Sequence, residues 1–246
     1  MAASYSKEPL LVKSFTEGFD LHSFLATAGF SIVFGQDVII TNEDKMLKIN
    51  NYEYNLKKEL RQNFKNVTFS LFYGGGKDRV YEYLSKYIMN HNPPEQGLII
   101  AEKVSKKVKS LLPVLMKYLQ SELDYVKTNG YSLLSKIGGK RYYDDQDKMY
   151  GEILNARIQG SGAAAMSMAL INVNSLLENK AKEFGVPEQE IGWLSMSIYD
   201  QVLISVNDKY LFLKDDIKQI MANALTFFLE DLKGESEVQI TKQWSK

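Results

Sequence analysis

The sequence contains no cysteine and only two histidines, His22 and His91, among its 246 residues. Without thiols the chain cannot form disulfides, and two imidazoles are too few for a histidine-built zinc or iron centre. Any bound metal should therefore be a hard cation held by carboxylate oxygens. The sequence also lacks an N-terminal signal pattern and any apolar run near the roughly 18 residues that span a membrane. We expect a soluble cytoplasmic protein with no membrane partner.

The sequence has no excess of charge of either sign, because 30 basic and 30 acidic residues cancel. A zero balance does not by itself indicate nucleic-acid binding. The charges are unevenly distributed, however, since residues 102–141 contain nine Lys or Arg against three Asp or Glu. This segment is either a solvated helix face or a surface that contacts phosphates.

Four residues recur every fourth position within residues 61–76, RQNFKNVTFSLFYGGG: Arg61, Lys65, Phe69 and Tyr73. This spacing predicts one helical stripe, about 18 Å long, with two cations followed by two aromatic rings. One interpretation is an amphipathic helix with its aromatics in a core. The other is a surface that meets a triphosphate at one end and a base and sugar at the other. Gly74 stands where a left-handed cap would end the helix.

The pattern R-x-x-x-K-x-x-x-F-x-x-x-Y-G resembles the fingers helix, motif B, of family A DNA polymerases. Two later segments resemble the same family in the same order. Residues 155–163 contain N-x-x-x-Q-G-x-x-A, which is similar to the family's palm helix. The triplet 199–201, Tyr-Asp-Gln, resembles motif C, in which the family usually has His-Asp-Glu. The resemblance extends over nearly the whole chain.

The resemblance implies a role for each matching residue. Nucleotide binding is implied for His22, Arg61, Lys65, Phe69 and Tyr73. Contact with primer-template DNA is implied for Gly74, Lys140, Arg141, Asn155, Gln159, Tyr199 and Gln201. The catalytic residues would be Asp200, as the metal ligand, and Lys65, as the acid that protonates the pyrophosphate leaving group. Taken alone, His22 is equally an ordinary half-exposed histidine, and Asp200 a turn former.

The resemblance implies an α+β fold, with a mostly helical fingers subdomain and a palm subdomain of packed helices and an antiparallel hairpin. We expect the palm-to-fingers helix over residues 1–16, the fingers over 17–133 and the C-terminal palm over 134–246. Residue patterns predict further elements. These are a helix that starts near Asp20, helices over 77–90, 95–129 with a break at Pro113, 160–184 and 215–232, strands around a turn within 128–145, a hairpin within 193–207, and a strand over 238–240 before Trp244. Residues 35–55 contain either a short hairpin or an irregular insertion.

The family binds two Mg²⁺ ions between two aspartates, and Asp200 would be one of them. The other belongs to motif A, but this sequence has no aspartate before Asp20. We therefore expect the C-terminal part of a DNA polymerase that adds dNTPs to a primer 3′ end. It would be inactive without an N-terminal partner polypeptide that supplies motif A and the thumb. Such a division of a polymerase is typical of bacteriophages, and a phage-encoded protein would act in the cytoplasm of its bacterial host. A truncated gene product and an inactive polymerase-derived DNA-binding or assembly protein are the alternatives.

Overall fold

A computed structural model describes residues 1–145 and 149–242 as an α+β protein in which helices dominate. Its α-helices are α1 (Ala2–Ser6), α2 (Pro9–Thr16), α3 (Leu21–Phe34), α4 (Gln62–Phe72), α5 (Lys77–His91), α6 (Gly97–Leu111), α7 (Pro113–Asn129), α8 (Tyr150–Phe184), α9 (Glu188–Ile191) and α10 (Lys214–Phe228). A π-helix spans Leu56–Arg61, and 3₁₀ helices span Pro94–Gln96 and Asp208–Leu213. None of the described helices is both long enough and apolar enough to cross a membrane.

The described strands pair as hairpins of neighbouring strands. They are β1 (Met46–Ile49) with β2 (Tyr52–Asn55), β3 (Tyr131–Ser135) with β4 (Gly138–Tyr142), and β5 (Gly192–Ile198) with β6 (Gln201–Val206). The β1–β2 and β5–β6 pairs are antiparallel. The α+β class predicted from the sequence is therefore confirmed.

The described residues divide into two compact units. The helical unit contains Ala2–Leu133 and Lys140–Arg157. The hairpin unit contains Met1, Leu134–Gly139 and the chain from Ile158 onward. Both the β3–β4 hairpin and α8 contribute residues to each unit.

The core of the helical unit lies among α3, α4, α5 and α6, which pack against one another. On α4 the buried residues are Phe64, Val67, Thr68 and Leu71. On α5 they are Val80, Leu84, Tyr87 and Ile88, the stripe that the 3.6-residue period predicts. Each helix thus buries one side and leaves the other for solvent or ligand.

The hairpin unit has its own core, to which α8, α9, α10 and the 3₁₀ helix Asp208–Leu213 contribute. Its buried members are Val173, Leu177, Ala181, Ile191, Leu213 and Ile217. Leu194 of β5 and Ile204 of β6 pack against this cluster. The base of the β5–β6 hairpin is therefore anchored to the core, and the turn at Tyr199 and Asp200 projects from it.

Several predicted boundaries are confirmed. Asp20 caps α3 by accepting a hydrogen bond from the Ser23 backbone N–H at 3.1 Å. The break between α6 and α7 falls at Pro113, and α7 ends at Gly130, whose φ is 79°. A hairpin forms within residues 193–207, as the alternation of side chains predicts, and of the two alternatives for residues 35–55 the short hairpin is the one observed.

The predicted start of the palm helix near Gly160 is wrong, since α8 begins at Tyr150. Ile153, Leu154 and Ala156 are buried, so the apolar side of the helix extends N-terminal to Gly160. Gly160 lies inside the helix, where a Cβ would be 2.4 Å from the carbonyl oxygen of Leu134. The close backbone approach expected of these small residues is therefore confirmed at Gly160, whereas a Cβ at Gly162 would meet nothing within 4 Å.

The C-terminal predictions are also wrong in part. Helix α10 ends at Phe228 rather than at residue 232, because the Thr226 hydroxyl accepts a hydrogen bond from the Gly234 N–H at 2.8 Å and folds the chain back. No strand forms over 238–240, where Val238 and Ile240 are exposed and the described chain offers no neighbouring strand to pair with. Trp244 lies outside the described residues.

The predicted Gly-Gly turn between β3 and β4 is displaced by two residues. The turn residues are Lys136 and Ile137, which the sequence pattern did not single out. Gly138 and Gly139 instead open β4 with positive φ angles of 116° and 86°. Glycine suits both positions because the left-handed region costs it little.

Glu8 links the N-terminal segment to the first turn of α7. Its carboxylate is buried and accepts hydrogen bonds from the backbone N–H groups of Val114 and Leu115, at 2.9 and 3.0 Å. First-turn N–H groups have no partner within their own helix. We predict that Glu8→Ala lowers the free energy of unfolding by about 2–4 kcal/mol in urea titrations. Glu8→Gln keeps an acceptor oxygen and should lose less than half as much; equal losses would contradict this role.

Candidate functional site

The exposed side of α4 carries the residues predicted to bind a nucleotide. Lys65 and Phe69 lie within α4, Arg61 ends the π-helix before it, and Tyr73 directly follows it. The side chains of Phe69 and Tyr73 are 38% and 41% exposed, whereas other residues fill the core side of α4. The alternative interpretation, in which these two aromatics belong to a core, is therefore wrong.

His22 of α3 lies against the same face. Its ring is 5.6 Å from the Phe69 ring, and the Lys65 ammonium nitrogen is 5.8 Å from that ring. Burial lowers the pKa of His22, and the charges of Arg61 and Lys65 lower it further, against the opposite effect of Asp20. The imidazole is therefore neutral at pH 7. Its Nδ1 atom is buried and has no hydrogen-bond partner in the described part of the chain.

Arg61 is held by Asp20, a contact that the sequence did not reveal. The guanidinium Nε and Nη2 atoms each lie 2.9 Å from a different carboxylate oxygen of Asp20, in a bidentate pair. Burial alone would raise the pKa of Asp20, but the hydrogen bonds from Arg61 and Ser23 outweigh this and lower it to about 2. Asp20 therefore fixes the orientation of Arg61 at the cationic end of the row.

We predict that this ion pair makes stability depend on pH. The folded-state pKa of Asp20, about 2, lies below the ordinary value of 3.8, so its contribution is complete above about pH 4 and is lost as pH falls toward 2. Asp20→Asn keeps the helix cap but removes the charge. In urea titrations the variant should be about 1 kcal/mol less stable at pH 7, allowing for solvent screening. That difference should vanish near pH 2; a difference independent of pH would contradict the prediction.

Gly74 sits at a close approach immediately after the stripe. Its φ of 84° favours glycine, and a Cβ there would lie 2.4 Å from Cε1 of Tyr150. The Tyr150 side chain is 43% exposed. Sequence reasoning missed Tyr150, because nothing in a local pattern relates it to a glycine so far away along the chain.

Lys140 and Arg141, predicted to contact DNA, are both exposed on β4. The Lys140 ammonium nitrogen lies 4.2 Å above the Tyr131 ring, which leaves its charge available to a phosphate. Arg141 forms an ion pair with Glu152, so part of its charge is already neutralised.

Asn155 and Gln159 lie four residues apart on α8. The Gln159 side chain is exposed, whereas Oδ1 of Asn155 is buried and unpaired in the part of the chain that the structure describes. Arg157, between them in sequence, pairs with the buried carboxylate of Glu122 at 3.3 Å and lies 4.9 Å from the Tyr5 ring. Its charge therefore balances that of the buried Glu122 carboxylate within the helical unit.

Asp200 lies at the tip of the β5–β6 hairpin, where Ile198 pairs with Gln201. Tyr199 has a positive φ of 53° and is 96% exposed, and Asp200 and Gln201 are exposed beside it. A carboxylate on a rigid hairpin suits Mg²⁺, which prefers oxygen ligands. Within residues 1–145 and 149–242, however, no three or more Asp, Glu, His or Cys side chains come together as a metal site. Asp200 therefore fits as one ligand of a site that needs further carboxylates.

Comparison with known proteins gives one family. A family model for DNA polymerase family A matches residues 1–246. DNA polymerase I of Aquifex aeolicus is 23% identical over 247 residues, which is all of this chain and 37% of the relative. DNA polymerase I of Caldicellulosiruptor bescii is 25% identical and that of Mycobacterium tuberculosis 24%, over 23% and 19% of their lengths. The chain thus spans little more than a third of these relatives at most.

A solved structure has a similar fold. The POL domain of Pol1 from M. smegmatis, in complex with DNA primer-template and dNTP, superposes with a TM-score of 0.64. The match covers 95% of this chain and 36% of that one, at 20% sequence identity. The helices and hairpins described above therefore correspond to part of a polymerase domain fold.

Proposed function

Because the chain belongs to DNA polymerase family A, we propose that it supplies the fingers and palm of a template-directed DNA polymerase. In this assignment residues 1–16 form the palm-to-fingers helix, 17–133 the fingers and 134–246 the C-terminal palm. The observation that carries the proposal is the row of two half-buried cations and two exposed aromatic rings from Arg61 to Tyr73, with the His22 ring 5.6 Å from that of Phe69.

Each residue of this row has a chemical role toward a dNTP. Lys65 and the oriented guanidinium of Arg61 neutralise the phosphates, and His22 uses its unpaired nitrogen to hydrogen-bond them. The Phe69 ring packs by the sugar, and Tyr73 packs beside the templating base pair. Lys65 also protonates the pyrophosphate as it leaves.

Primer-template DNA contacts the other exposed polar residues. Lys140 and Arg141 bind its backbone phosphates, and Gly74 lets the chain pass close to the templating position. Asn155 and Gln159 carry amides that donate and accept hydrogen bonds at base edges in the minor groove. Tyr199 and Gln201 flank Asp200 and meet the primer end.

Asp200 is the residue of this chain that would hold Mg²⁺. Mg²⁺ held by Asp200 would supply positive charge that favours ionisation of the primer 3′-hydroxyl and neutralises the triphosphate. A second aspartate is needed to bridge two ions, and a partner polypeptide with motif A and the thumb supplies it. The interface with such a partner has to be as large and as apolar as those of permanent complexes, which distinguishes it from a transient contact. A bacteriophage origin for this division, and action in the host cytoplasm, stay predictions.

Primer extension with Mg²⁺ and dNTPs tests the proposal. Four reactions are compared: this chain, the candidate N-terminal partner, their mixture, and the mixture without Mg²⁺. Extension only in the complete mixture is the expected result. Extension by this chain alone would overturn the need for a partner, and no extension in any reaction would overturn the enzymatic role.

The alternative is a DNA-binding or assembly protein that descends from a polymerase and no longer catalyses. It is favoured by the residues beside Asp200, where Gln201 replaces an acid that the family usually has. A complex that binds primer-template and never extends it, with any partner that carries motif A, would support this function.

Phe69 should make the reconstituted enzyme discriminate against dideoxynucleotides. We predict that Phe69→Tyr relaxes this discrimination by about five- to thirtyfold, because the tyrosine hydroxyl adds one hydrogen bond near the sugar, worth about 1–2 kcal/mol. The ratio of kcat/KM for dNTP and ddNTP measures it. Phe72→Tyr, a neighbouring substitution of the same kind, is the control, and wild-type enzyme that uses both nucleotides equally would contradict the prediction.

A further inference from the structure

The turn that ends in Arg61 is a π-helix rather than an α-helix. It spans Leu56–Arg61 and continues directly into α4 at Gln62, so Arg61 lies at the junction of two helical geometries. Backbone N–H groups bond five residues back in a π-helix and four residues back in an α-helix. Single π turns are rare and often occur at functional sites. The contacts that keep this turn in π geometry therefore bear on how Arg61 is presented.

Asn63 places a side-chain donor at this junction. Its Nδ2 atom lies 2.9 Å from the backbone oxygen of Glu59, four residues earlier, and 2.8 Å from the hydroxyl oxygen of Tyr87. An amide nitrogen has two hydrogens, so it can donate to both oxygens. The Glu59 oxygen also accepts a hydrogen bond from the backbone N–H of Gln62. The Asn63 side chain thus reinforces the backbone at the point where π geometry changes to α geometry.

Helix α5 holds the same turn through the Glu59 carboxylate. Its Oε1 atom accepts hydrogen bonds from the Lys86 ammonium group at 2.8 Å and from the Tyr87 hydroxyl at 3.3 Å. Tyr87 is only 2% exposed, and burial and the nearby Glu59 raise its pKa, so the hydroxyl stays protonated as a donor. The other oxygen, Oε2, lies 3.4 Å from the backbone nitrogen of Asn55. Glu59, Asn63 and Tyr87 therefore form one hydrogen-bonded network.

The geometry of the turn affects the direction of Arg61. Successive residues of an α-helix are about 100° apart around its axis, so a π turn that changed to α geometry would rotate its residues relative to Lys65 and Phe69. The Arg61 guanidinium has to reach Asp20, to which its Nε and Nη2 atoms each donate at 2.9 Å. A bidentate pair of this kind has strict geometric requirements. Asp20 thus constrains the guanidinium of Arg61, and the network around Asn63 constrains its backbone.

We propose that Asn63, through Glu59 and Tyr87, is a positioning residue that keeps the turn in π geometry and so holds Arg61 against Asp20. The inference rests on the proposed function in one respect, because it takes Arg61 to neutralise the phosphates of a dNTP. Asn63 acts through Arg61, since its own amide is directed to Glu59 and Tyr87.

The two histidines of the chain allow the position of Arg61 to be measured without catalysis. Burial and the charge of Arg61 lower the pKa of His22, whereas Asp20 raises it. If Arg61 leaves Asp20, its effect weakens and that of the carboxylate strengthens, so the pKa of His22 rises. NMR titration of the ring C–H signals of this chain measures it. Asn63→Ala should raise the pKa of His22 and leave that of His91, which burial lowers, unchanged.

Two further variants separate positioning from a general effect on folding. Asn63→Ser keeps a hydroxyl that can donate to the carbonyl four residues earlier, so its His22 pKa should lie between those of wild type and Asn63→Ala. Asn66→Ala removes an exposed amide from α4 and should leave the pKa of His22 unchanged. If Asn63→Ala lowers stability in urea titrations but does not change the pKa of His22, Asn63 contributes to folding alone and the inference is overturned.

Titration of the same proteins with dATP tests whether this position matters for a nucleotide. The Kd of Asn63→Ala for dATP should be about tenfold higher than that of wild type, because a misaligned guanidinium loses a charge-assisted hydrogen bond to phosphate. An unchanged Kd would overturn the inference. If dATP binds neither protein, the nucleotide site of the proposed function is overturned instead, and the pKa of His22 alone decides whether Asn63 positions Arg61.

Discussion

Asp200→Ala abolishes primer extension by the reconstituted polymerase and leaves its affinity for primer-template DNA nearly unchanged. This result is expected from the proposed role of Asp200 as a metal ligand, and the carboxylate contributes little to folding because it is exposed and the hairpin is anchored at its base. A metal ion contributes several kcal/mol of charge stabilisation, so its loss should lower kcat by at least about three orders of magnitude. Single-turnover extension and anisotropy measure the two quantities.

Two further variants separate charge from general disturbance of the hairpin. Asp200→Asn keeps the shape of the side chain and should be nearly as inactive, because a neutral amide is a poor Mg²⁺ ligand. Asp208→Ala removes an exposed acid just beyond β6 and should keep activity within about threefold. Activity of Asp200→Ala within tenfold of wild type would exclude Asp200 as a ligand of the catalytic metal.

Much of the fold could be predicted from the sequence because local chemistry decides it. Asp20 as a helix cap, Pro113 as a break and Gly130 as a left-handed stop each act within a few residues. The same holds for the turn at Tyr199 and Asp200, which two alternating strands define. Elements determined this way depend little on distant contacts.

The secondary-structure predictions fail where the structure of a segment depends on residues that are distant in sequence. Residues 238–240 have the composition of a strand, but a strand forms only when another strand accepts its hydrogen bonds. The start of α8 was misplaced because the glycine at 160, which usually weakens helices, is needed for the approach of Leu134. The sequence around Gly160 shows the glycine but does not reveal that Leu134 packs against it.

For the candidate site, too, some features could be predicted from the sequence and others could not. The spacing of Lys65, Phe69 and Tyr73 was sufficient to predict one row of side chains, because helical geometry fixes it. It was not sufficient to predict that Asp20 holds Arg61, a contact across 41 residues of sequence. That contact makes the two cations different: Asp20 fixes Arg61 in place, whereas no carboxylate of the described chain holds Lys65.

Lys65 is that second cation, and its substitution should have the next largest effect. In the described chain no carboxylate pairs with its ammonium group, which lies 5.8 Å from the Phe69 ring and is half-buried. A positioned general acid contributes about 10²–10⁴ in rate, so Lys65→Ala should lower kcat for nucleotide addition by that factor and also raise KM for dNTP.

Lys65→Arg distinguishes the two contributions. Arginine retains the positive charge but does not release a proton near neutral pH, so the variant should keep KM for dNTP within a few fold of wild type while kcat stays low. Lys57→Ala, which removes an exposed lysine from the π-helix before α4, is the matched control and should leave both constants nearly unchanged. If Lys65→Arg restores kcat, Lys65 acts through its charge alone and the proton reaches the pyrophosphate from another donor. In that case the neutral imidazole of His22, 5.6 Å from the Phe69 ring, would not be that donor unless substrate binding raised its pKa.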